Sequence, residues 1–151
     1  MDATGYMKMA LQQARAAFDA GEVPVGAVVV RKGAVIARAH NLVETLRDAT
    51  AHAEMQAITV ASGTLGSKYL NDCTIYVTVE PCPMCAAALG WAQIGELVYG
   101  ASDPKRGYTL FEGNALSDDS VKLLHPRTKV SSGVCAEECS ALMKEFFAQR
   151  R

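Results

Sequence analysis

The sequence predicts an α/β protein, a three-layer α/β/α sandwich in which helices cover both faces of a mixed five-stranded sheet. Two observations lead to this prediction. Short runs of β-branched and aromatic residues alternate with segments of helical spacing, in the order α-β-β-α-β-α-β-β-α. Strands that alternate with helices form parallel or mixed sheets that are buried on both faces. The length of 151 residues also predicts one domain, residues 1–151.

The first half of the pattern is a helix, a hairpin and a second helix. Residues Tyr6–Ala20 are rich in helix formers and are followed by a glycine, which predicts a helix over this range. The stretch "VGAVVVRKGAVIARAHN" predicts two strands joined by a turn at Lys32 and Gly33. Helical spacing returns in "HAEMQAITVAS", which predicts the second helix.

The second half repeats strand and helix twice more. The predicted strands are "CTIYVTV", "ELVYGA" and a short last one, "TKVSSGV". The predicted helices are the alanine-rich "CPMCAAALGWAQ" and the amphipathic terminal segment "AEECSALMKEFFAQRR". Residues 105–127 mix polar and apolar side chains without a clear period, so we expect a loop with at most one short helix.

The composition excludes several classes of function. The formal net charge of −1 means that a nucleic-acid partner would need a local basic patch. The N-terminal segment has no apolar core of a signal peptide, and no apolar run reaches the length of a membrane span, so we expect a cytoplasmic protein. An odd number of cysteines argues against a disulfide framework; they are Cys73, Cys82, Cys85, Cys135 and Cys139.

Cys82 and Cys85 form a C-x-x-C motif at the start of a predicted helix, directly after a strand. Alone, this motif fits a redox dithiol, half of a structural zinc site or two core cysteines. His52 also stands at the start of a predicted helix, and strand ends and helix starts meet at one edge of an α/β sheet. Together the three residues supply three ligands, and a catalytic zinc site leaves the fourth position to water.

Glu54 favours a catalytic site over a structural one. On a regular helix, side chains two residues apart diverge by about 200°, so Glu54 is poorly placed to bind the metal beside His52. It can instead face a metal-bound water and move protons. H-A-E followed by P-C-x-x-C is the signature of the zinc deaminases. A thioredoxin-like dithiol is the main alternative, and it gives no role to His52 or Glu54.

Beyond these motifs, the chain resembles the bacterial tRNA-specific adenosine deaminases, a family of the cytidine deaminase-like superfamily. The resemblance runs nearly end to end, through "GEVPVGAVVV", "ARAHNLVETL", "TAHAEMQAI", "CTIYVTVEPCPMC", "VYGASDPKRG" and "EECSALMKEFF". The zinc motifs mark the superfamily, whereas "EVPVGA", "HN" and the terminal "FF" are more particular to the tRNA enzymes. The pattern departs from the family over Tyr108–Pro126.

The resemblance implies a cytidine deaminase-like fold and a zinc-dependent hydrolase. One Zn²⁺ per chain would be held by His52, Cys82 and Cys85, with Glu54 as the proton shuttle. The substrate would be the adenosine at the wobble position of a tRNA anticodon stem-loop, which is converted to inosine. The resemblance also implies a homodimer. The small residues of the helix after Cys82 offer a surface for it, although packing against the sheet of the same chain explains them equally; they are Ala86, Ala87, Ala88 and Gly90.

The resemblance further implies RNA contacts. Asn41 would contact the target nucleotide, and the alternative is a cap of the strand end. Phe146, Phe147 and Arg150 lie on the terminal helix, where amphipathic packing also explains at least one phenylalanine. Basic residues that could contact phosphates are Lys105, Arg106, Arg127, Lys129 and Arg151. The three cysteines outside the zinc motif are interpreted as packing residues.

Two other functions remain open from the sequence. The first is a free nucleobase deaminase for guanine or cytosine, because Pro83 and the "GWAQ" around Trp91 are similar to guanine deaminases. The second is a zinc domain without catalytic activity that serves as a partner subunit. Glu54 argues against the second, since a structural zinc site has no use for that carboxylate.

Overall fold

The computed structural model describes residues 1–112 and 122–150. Its strands are β1 (Gly26–Arg31), β2 (Ala34–His40), β3 (Cys73–Val79), β4 (Glu96–Ala101) and β5 (Lys129–Ser132). Its helices are α1 (Ala3–Asp19), α2 (Val43–Leu46), α3 (Ala53–Leu65), α4 (Pro83–Trp91) and α5 (Ala136–Ala148). A short 3₁₀ turn covers Tyr108–Leu110.

The strands form one mixed sheet in the order β2-β1-β3-β4-β5. β1 pairs antiparallel with both β2 and β3, and β3, β4 and β5 run parallel. The predicted hairpin turn is confirmed, with positive φ angles at Lys32 (50°) and Gly33 (78°). Two consecutive positive φ values match the twist of the flanking strands. The predicted mixed, five-stranded sheet is therefore confirmed.

Helices cover both faces of the sheet, as predicted. Val29 and Ile75 point to one face and are buried with side chains of α3 and α4. Their neighbours Val28 and Tyr76 point to the other face, where they are buried with α1 and α5. This alternation follows from the two-residue period of a strand, and a strand buried on both faces reads as a continuous apolar run.

Two helices differ from their predictions. Helix α1 begins at Ala3, three residues earlier than predicted, because the Asp2 side chain accepts a hydrogen bond from the backbone N–H of Gly5 (3.0 Å). Helix α2 was not predicted, since four residues carry no periodic signal. The buried carboxylate of Glu22 stabilises it by accepting hydrogen bonds from the backbone N–H groups of Glu44 (2.9 Å) and Thr45 (2.6 Å).

Most of the segment predicted as a loop is confirmed. The 3₁₀ turn at Tyr108–Leu110 is its short helical piece within the described residues, and residues 113–121 lie outside them. Among the helices of the described ranges, none combines the length and apolar character that crossing a membrane requires.

The sheet register brings two strand ends to one edge. Ala27 of β1 pairs with both Ala39 near the end of β2 and Val77 near the end of β3. From this edge the chain passes from β3 directly into α4, and from β2 through the short helix α2 and a loop into α3. The loop between β2 and α3 is closed by a hydrogen bond from Leu42 N–H to the Ala51 carbonyl (2.9 Å). The starts of the two helices are therefore held close together.

Candidate metal centre

Three side chains that can bind a metal converge at the starts of α3 and α4. His52 is the N-cap residue of α3 and Cys82 is the N-cap residue of α4, but neither side chain caps its own helix. Instead, Nδ1 of His52 lies 3.6 Å from Sγ of Cys82 and 3.5 Å from Sγ of Cys85. Within the described residues, this is the only group of three or more such side chains close enough to hold one ion.

The spacing fits a tetrahedral zinc site. With Zn–S of about 2.3 Å and Zn–N of about 2.0 Å, tetrahedral angles separate sulfur from nitrogen by about 3.5 Å. The two observed sulfur–nitrogen distances are 3.5 and 3.6 Å, and all three ligand atoms lie within 4.8 Å of one another. Two thiols and one imidazole are also the ligand types that zinc prefers. The cluster can therefore hold a metal ion, with a fourth position not taken by these residues.

The electrostatics of the cluster favour a negative charge on sulfur. A hydrogen bond from Cys85, aided by one from His52 and opposed by burial, lowers the pKa of Cys82 to about 4. The same pair hydrogen bond, together with burial, raises the pKa of Cys85. Cys82 is the N-cap residue of α4 and Cys85 lies in its first turn, where the helix dipole stabilises a thiolate. A cation at this place would favour the thiolate form of both cysteines.

Glu54 lies beside the cluster and is shielded from solvent. It stands in the first turn of α3, two residues after His52, and only 4% of its surface is exposed. Burial is the main reason that the pKa of Glu54 rises to about 7. A nearby positive charge would oppose this rise. A carboxyl group that titrates near neutral pH is suited to taking up and returning protons.

Asn41 lies at the end of β2 and is almost fully buried. Its side-chain N–H donates to the Val23 carbonyl (3.3 Å), and its Oδ1 accepts from the backbone N–H of Val43 (3.1 Å). These bonds make Asn41 a cap of the strand end, the alternative raised from the sequence. They occupy one of its two amide hydrogens, so one donor remains for a substrate.

The terminal helix α5 places its three predicted RNA residues differently. Phe146 is 2% exposed and packs edge-on against Phe18 with ring centres 5.7 Å apart, so its predicted direct RNA contact is wrong. Phe146 belongs to the apolar stripe of the amphipathic helix α5, and that stripe packs against the core. Phe147 is 48% exposed. Arg150 lies over the Phe146 ring at 3.6 Å and donates to the Gly21 carbonyl (3.4 Å).

The predicted phosphate-binding residues are exposed wherever they are described. Lys105 and Arg106 belong to a tight turn after β4, in which both backbone N–H groups bond to Oδ1 of Asp103 (3.0 Å each). Arg127 and Lys129 are exposed next to the start of β5, and residue 151 lies outside the described ranges.

The remaining small residues mostly pack inside the chain. Cys73 and Cys139 are buried as predicted, whereas Cys135 is only partly buried and precedes α5 with a positive φ of 55°. On α4, Ala86 is in the core, and a side chain on Gly90 would collide with the Leu123 carbonyl. Of the predicted dimer surface of α4, the partly buried Ala87 and Ala88 therefore remain, and Trp91, which was not part of that prediction, is exposed beside them.

Sequence reasoning missed two buried glutamates that flank the cluster. Glu22 holds the start of α2, beside the loop that carries Asn41. Glu80 lies two residues before Cys82 and accepts hydrogen bonds from the loop that follows β4. The available signal was position: both glutamates sit beside predicted buried strands, where a carboxylate needs several hydrogen bonds.

Comparisons with known proteins show the family of this chain. The family model for MafB19-like deaminases matches residues 1–151, a range that includes His52, Cys82 and Cys85. The tRNA-specific adenosine deaminase of Bacillus subtilis (strain 168) is 44% identical over 146 residues, 97% of this chain and 89% of the relative. A structure from work on A-to-I editing by tRNA:A34 deaminases has a TM-score of 0.83 at 42% identity, covering 92% of this chain and 99% of its own. The Bacillus subtilis guanine deaminase is more distant, with a TM-score of 0.67 at 36% identity and coverage of 76% and 78%.

The metal content provides a direct test of the site. We expect about one zinc per chain in the unchanged protein. His52→Ala and Cys82→Ser should each lose most of it, because the site has only three protein ligands and two are too few to hold zinc firmly. Elemental analysis after dialysis against a weak chelator measures this. Cys135→Ser is the matched control, since it removes a thiol outside the cluster. Full zinc content in both ligand variants would contradict the assignment.

Proposed function

The chain belongs to the family of tRNA-specific adenosine deaminases, and we propose that it converts adenosine to inosine at the wobble position of a tRNA anticodon loop. The observation that carries this proposal is a buried carboxylate, Glu54, beside a three-ligand metal cluster in a chain so similar to these enzymes. We place the activity in one domain, residues 1–151, and in the cytoplasm. The thiol ligands suit a reducing compartment.

The proposed cofactor is one Zn²⁺ per chain, bound by His52, Cys82 and Cys85. The sulfur–nitrogen distances support this choice. When bound, zinc supplies a Lewis acid that makes a water molecule a nucleophile near neutral pH.

Glu54 would carry the protons of the reaction. It takes a proton from the attacking water and gives it to N1 of the adenine ring as oxygen bonds to C6. It then delivers the second proton of the water to the amino group, and the C6–N bond breaks. Ammonia leaves and the C6 carbonyl of inosine remains, so one water is consumed for each ammonia released. Burial raises the pKa of Glu54 and bound zinc would lower it, and these opposing influences suit a group that must both accept and donate protons.

Residues outside the cluster would bind the RNA. Asn41, between β2 and α2, has a second amide hydrogen that its bonds to Val23 and Val43 do not use, and it would read the target base. Phe147 offers an exposed aromatic face on which an unpaired base can stack. Arg150, Lys105 and Arg106 would contact phosphates. A single-stranded loop suits this arrangement, because its bases reach a pocket without the cost of breaking base pairs.

Guanine deamination is the second candidate. The similarity to a guanine deaminase supports it, and the cluster of His52, Cys82 and Cys85 would serve hydrolytic deamination of either base. It needs no RNA surface. The greater similarity to the tRNA enzymes and the exposed basic turn at Lys105 and Arg106 favour the tRNA substrate. A zinc domain without activity is less favoured, because it would keep Glu54 buried beside the metal with no function to offset the cost of burial.

A homodimer is also proposed. Trp91 at the end of α4 is 85% exposed, and the neighbouring Ala87 and Ala88 are only partly buried. A bare tryptophan beside small side chains is typical of the centre of a protein–protein contact.

Glu54→Gln should abolish deamination while keeping the metal. The change preserves size, but the amide cannot take up a proton, and the reaction needs that transfer in more than one step. We expect kcat to fall by about three orders of magnitude or more, with zinc content and thermal stability close to those of the unchanged protein. A folded, zinc-loaded variant that retains a tenth of the original rate would exclude the proposed role.

The substrate can be decided by offering an RNA hairpin with adenosine at the wobble position and, separately, free guanine and cytosine. We expect inosine from the hairpin, with binding that weakens as salt rises because phosphate contacts release counterions. Arg150→Ala should weaken RNA binding and lower the salt slope, that is, the slope of log binding constant against log salt concentration, by about 1. Lys68→Ala, in the loop before β3, is the control and should change neither quantity. Turnover of guanine without turnover of the hairpin would overturn the tRNA assignment and leave the zinc site intact.

The assembly state can be measured by sedimentation at micromolar concentration. We expect a species of twice the 16.1 kDa chain mass, and a shift toward the monomer in Trp91→Ser, because a large apolar contact is lost. A single monomer in the unchanged protein would argue against the dimer.

A further inference from the structure

The Glu80 carboxylate links the metal-binding segment to the loop that follows β4. It is 5% exposed, and both of its oxygens are used. Oε1 accepts the backbone N–H of Asp103 (3.1 Å), and Oε2 accepts the backbone N–H (3.1 Å) and the hydroxyl (2.7 Å) of Thr109. Within the described residues no lysine or arginine forms an ion pair with Glu80. This buried carboxylate therefore depends on the loop for its polar partners.

The loop wraps closely around that carboxylate. A side chain on Gly107 would collide with the carboxyl carbon and both oxygens of Glu80. The next backbone N–H, that of Tyr108, donates to the Pro81 carbonyl (2.9 Å), one residue before Cys82. The segment 103–109 is thus attached both to the Glu80 carboxylate and to the Pro81 carbonyl, and it cannot shift without breaking these hydrogen bonds.

The same loop presents two exposed cations. Asp103, whose N–H is bound by Glu80, uses its own Oδ1 to accept the backbone N–H groups of Lys105 and Arg106. A continuous series of carboxylate–amide hydrogen bonds therefore runs from Glu80 to the basic turn. The position of the two cations relative to Cys82 is set through this series.

We propose that Glu80 is a positioning residue for RNA binding, which holds the turn of Lys105 and Arg106 at a fixed place beside the metal cluster so that both cations meet phosphates flanking the target nucleotide. This rests on the proposed function, because its substrate is RNA. Glu80 makes no contact with the substrate and acts through the turn. In a chain of net charge −1, fixed local cations matter more than total charge for attracting RNA.

Glu80→Gln tests this proposal against simple electrostatics. The amide keeps the shape of the side chain but has one acceptor oxygen, so either Asp103 or Thr109 loses its partner. We expect KM for the RNA hairpin to rise about tenfold with little change in kcat, and the salt slope of binding to fall by about 1.5. Removal of a negative charge by itself would strengthen RNA binding, which is the opposite result.

The matched control is Glu96→Gln, at the start of β4. Glu96 has the same charge and is partly buried, but its only side-chain bond within the described residues is a long one from the Thr74 hydroxyl (3.4 Å). It should leave KM and the salt slope nearly unchanged. Zinc content and thermal unfolding are measured for each variant, and a drop in zinc content that accounts for the lost activity of Glu80→Gln would overturn the proposal.

A double-mutant cycle separates positioning from general loss of structure. If Glu80 acts through the turn, Glu80→Gln should add little to the rise in KM already caused by Lys105→Ala with Arg106→Ala. If instead the KM increases caused by Glu80→Gln and by the double change at Lys105 and Arg106 multiply when combined, the proposal is overturned.

Amide hydrogen exchange over residues 103–109 supplies a measurement that needs no RNA. Faster exchange in Glu80→Gln than in Glu96→Gln is expected, and equal exchange would show that Glu80 does not hold the turn. If the unchanged protein fails to deaminate the hairpin, the proposed function and the RNA role of Glu80 fail together. If the hairpin reacts but Glu80→Gln keeps its KM, only the positioning role fails.

Discussion

The site depends on one constraint, the meeting of two helix starts at one edge of the sheet. β1 pairs antiparallel with both β2 and β3, so the ends of those two strands lie side by side. His52 and Cys82 are the N-cap residues of α3 and α4, and each side chain leaves its own helix uncapped and faces the other residue. The positive ends of both helices then surround the sulfurs, which favours thiolate and hence metal binding. A register shift of one residue in either pair would reverse the faces of the strand side chains and so disrupt the buried sheet that holds the two helix starts.

The two loops that enclose this edge are held by buried carboxylates. Glu22 binds two backbone N–H groups and the hydroxyl of Thr45, and Glu80 has the same three kinds of partner, with Thr109 in place of Thr45. A buried carboxylate is costly without such partners, so each loop is stable only when closed on its glutamate. Burial disfavours ionisation of Glu22, but hydrogen bonds from Thr45 and Glu44 leave its pKa below the ordinary value. Loop position near the site is therefore fixed by polar contacts, while the apolar layers fix the sheet.

The sequence was sufficient to predict the helices and strands whose apolar residues recur with a regular period. Alternation of strand and helix predicted the three layers, and ligand type with helix-start position predicted the cluster of His52, Cys82 and Cys85. It was insufficient where single contacts decide. Whether Phe146 or Phe147 is buried depends on the rotation of α5 against Phe18, which two adjacent phenylalanines do not reveal. The four residues of α2 form because of one distant carboxylate, and no local pattern announces such a contact.

The balance of charge has a further consequence for how RNA can be held. With 15 basic and 16 acidic residues, the chain has no excess of positive charge to attract a polyanion from a distance. Attraction must then come from a few cations at short range, where the Debye length of about 8 Å at physiological salt still permits it. Short-range contacts bind RNA more tightly when the cations are already held in place, because a cation that moves freely loses entropy on binding. Arg150, fixed against the Phe146 ring and the Gly21 carbonyl, already shows such placement. Its anchor at Gly21 adjoins Glu22, so the terminal helix and the loop of Asn41 are attached to the same short segment.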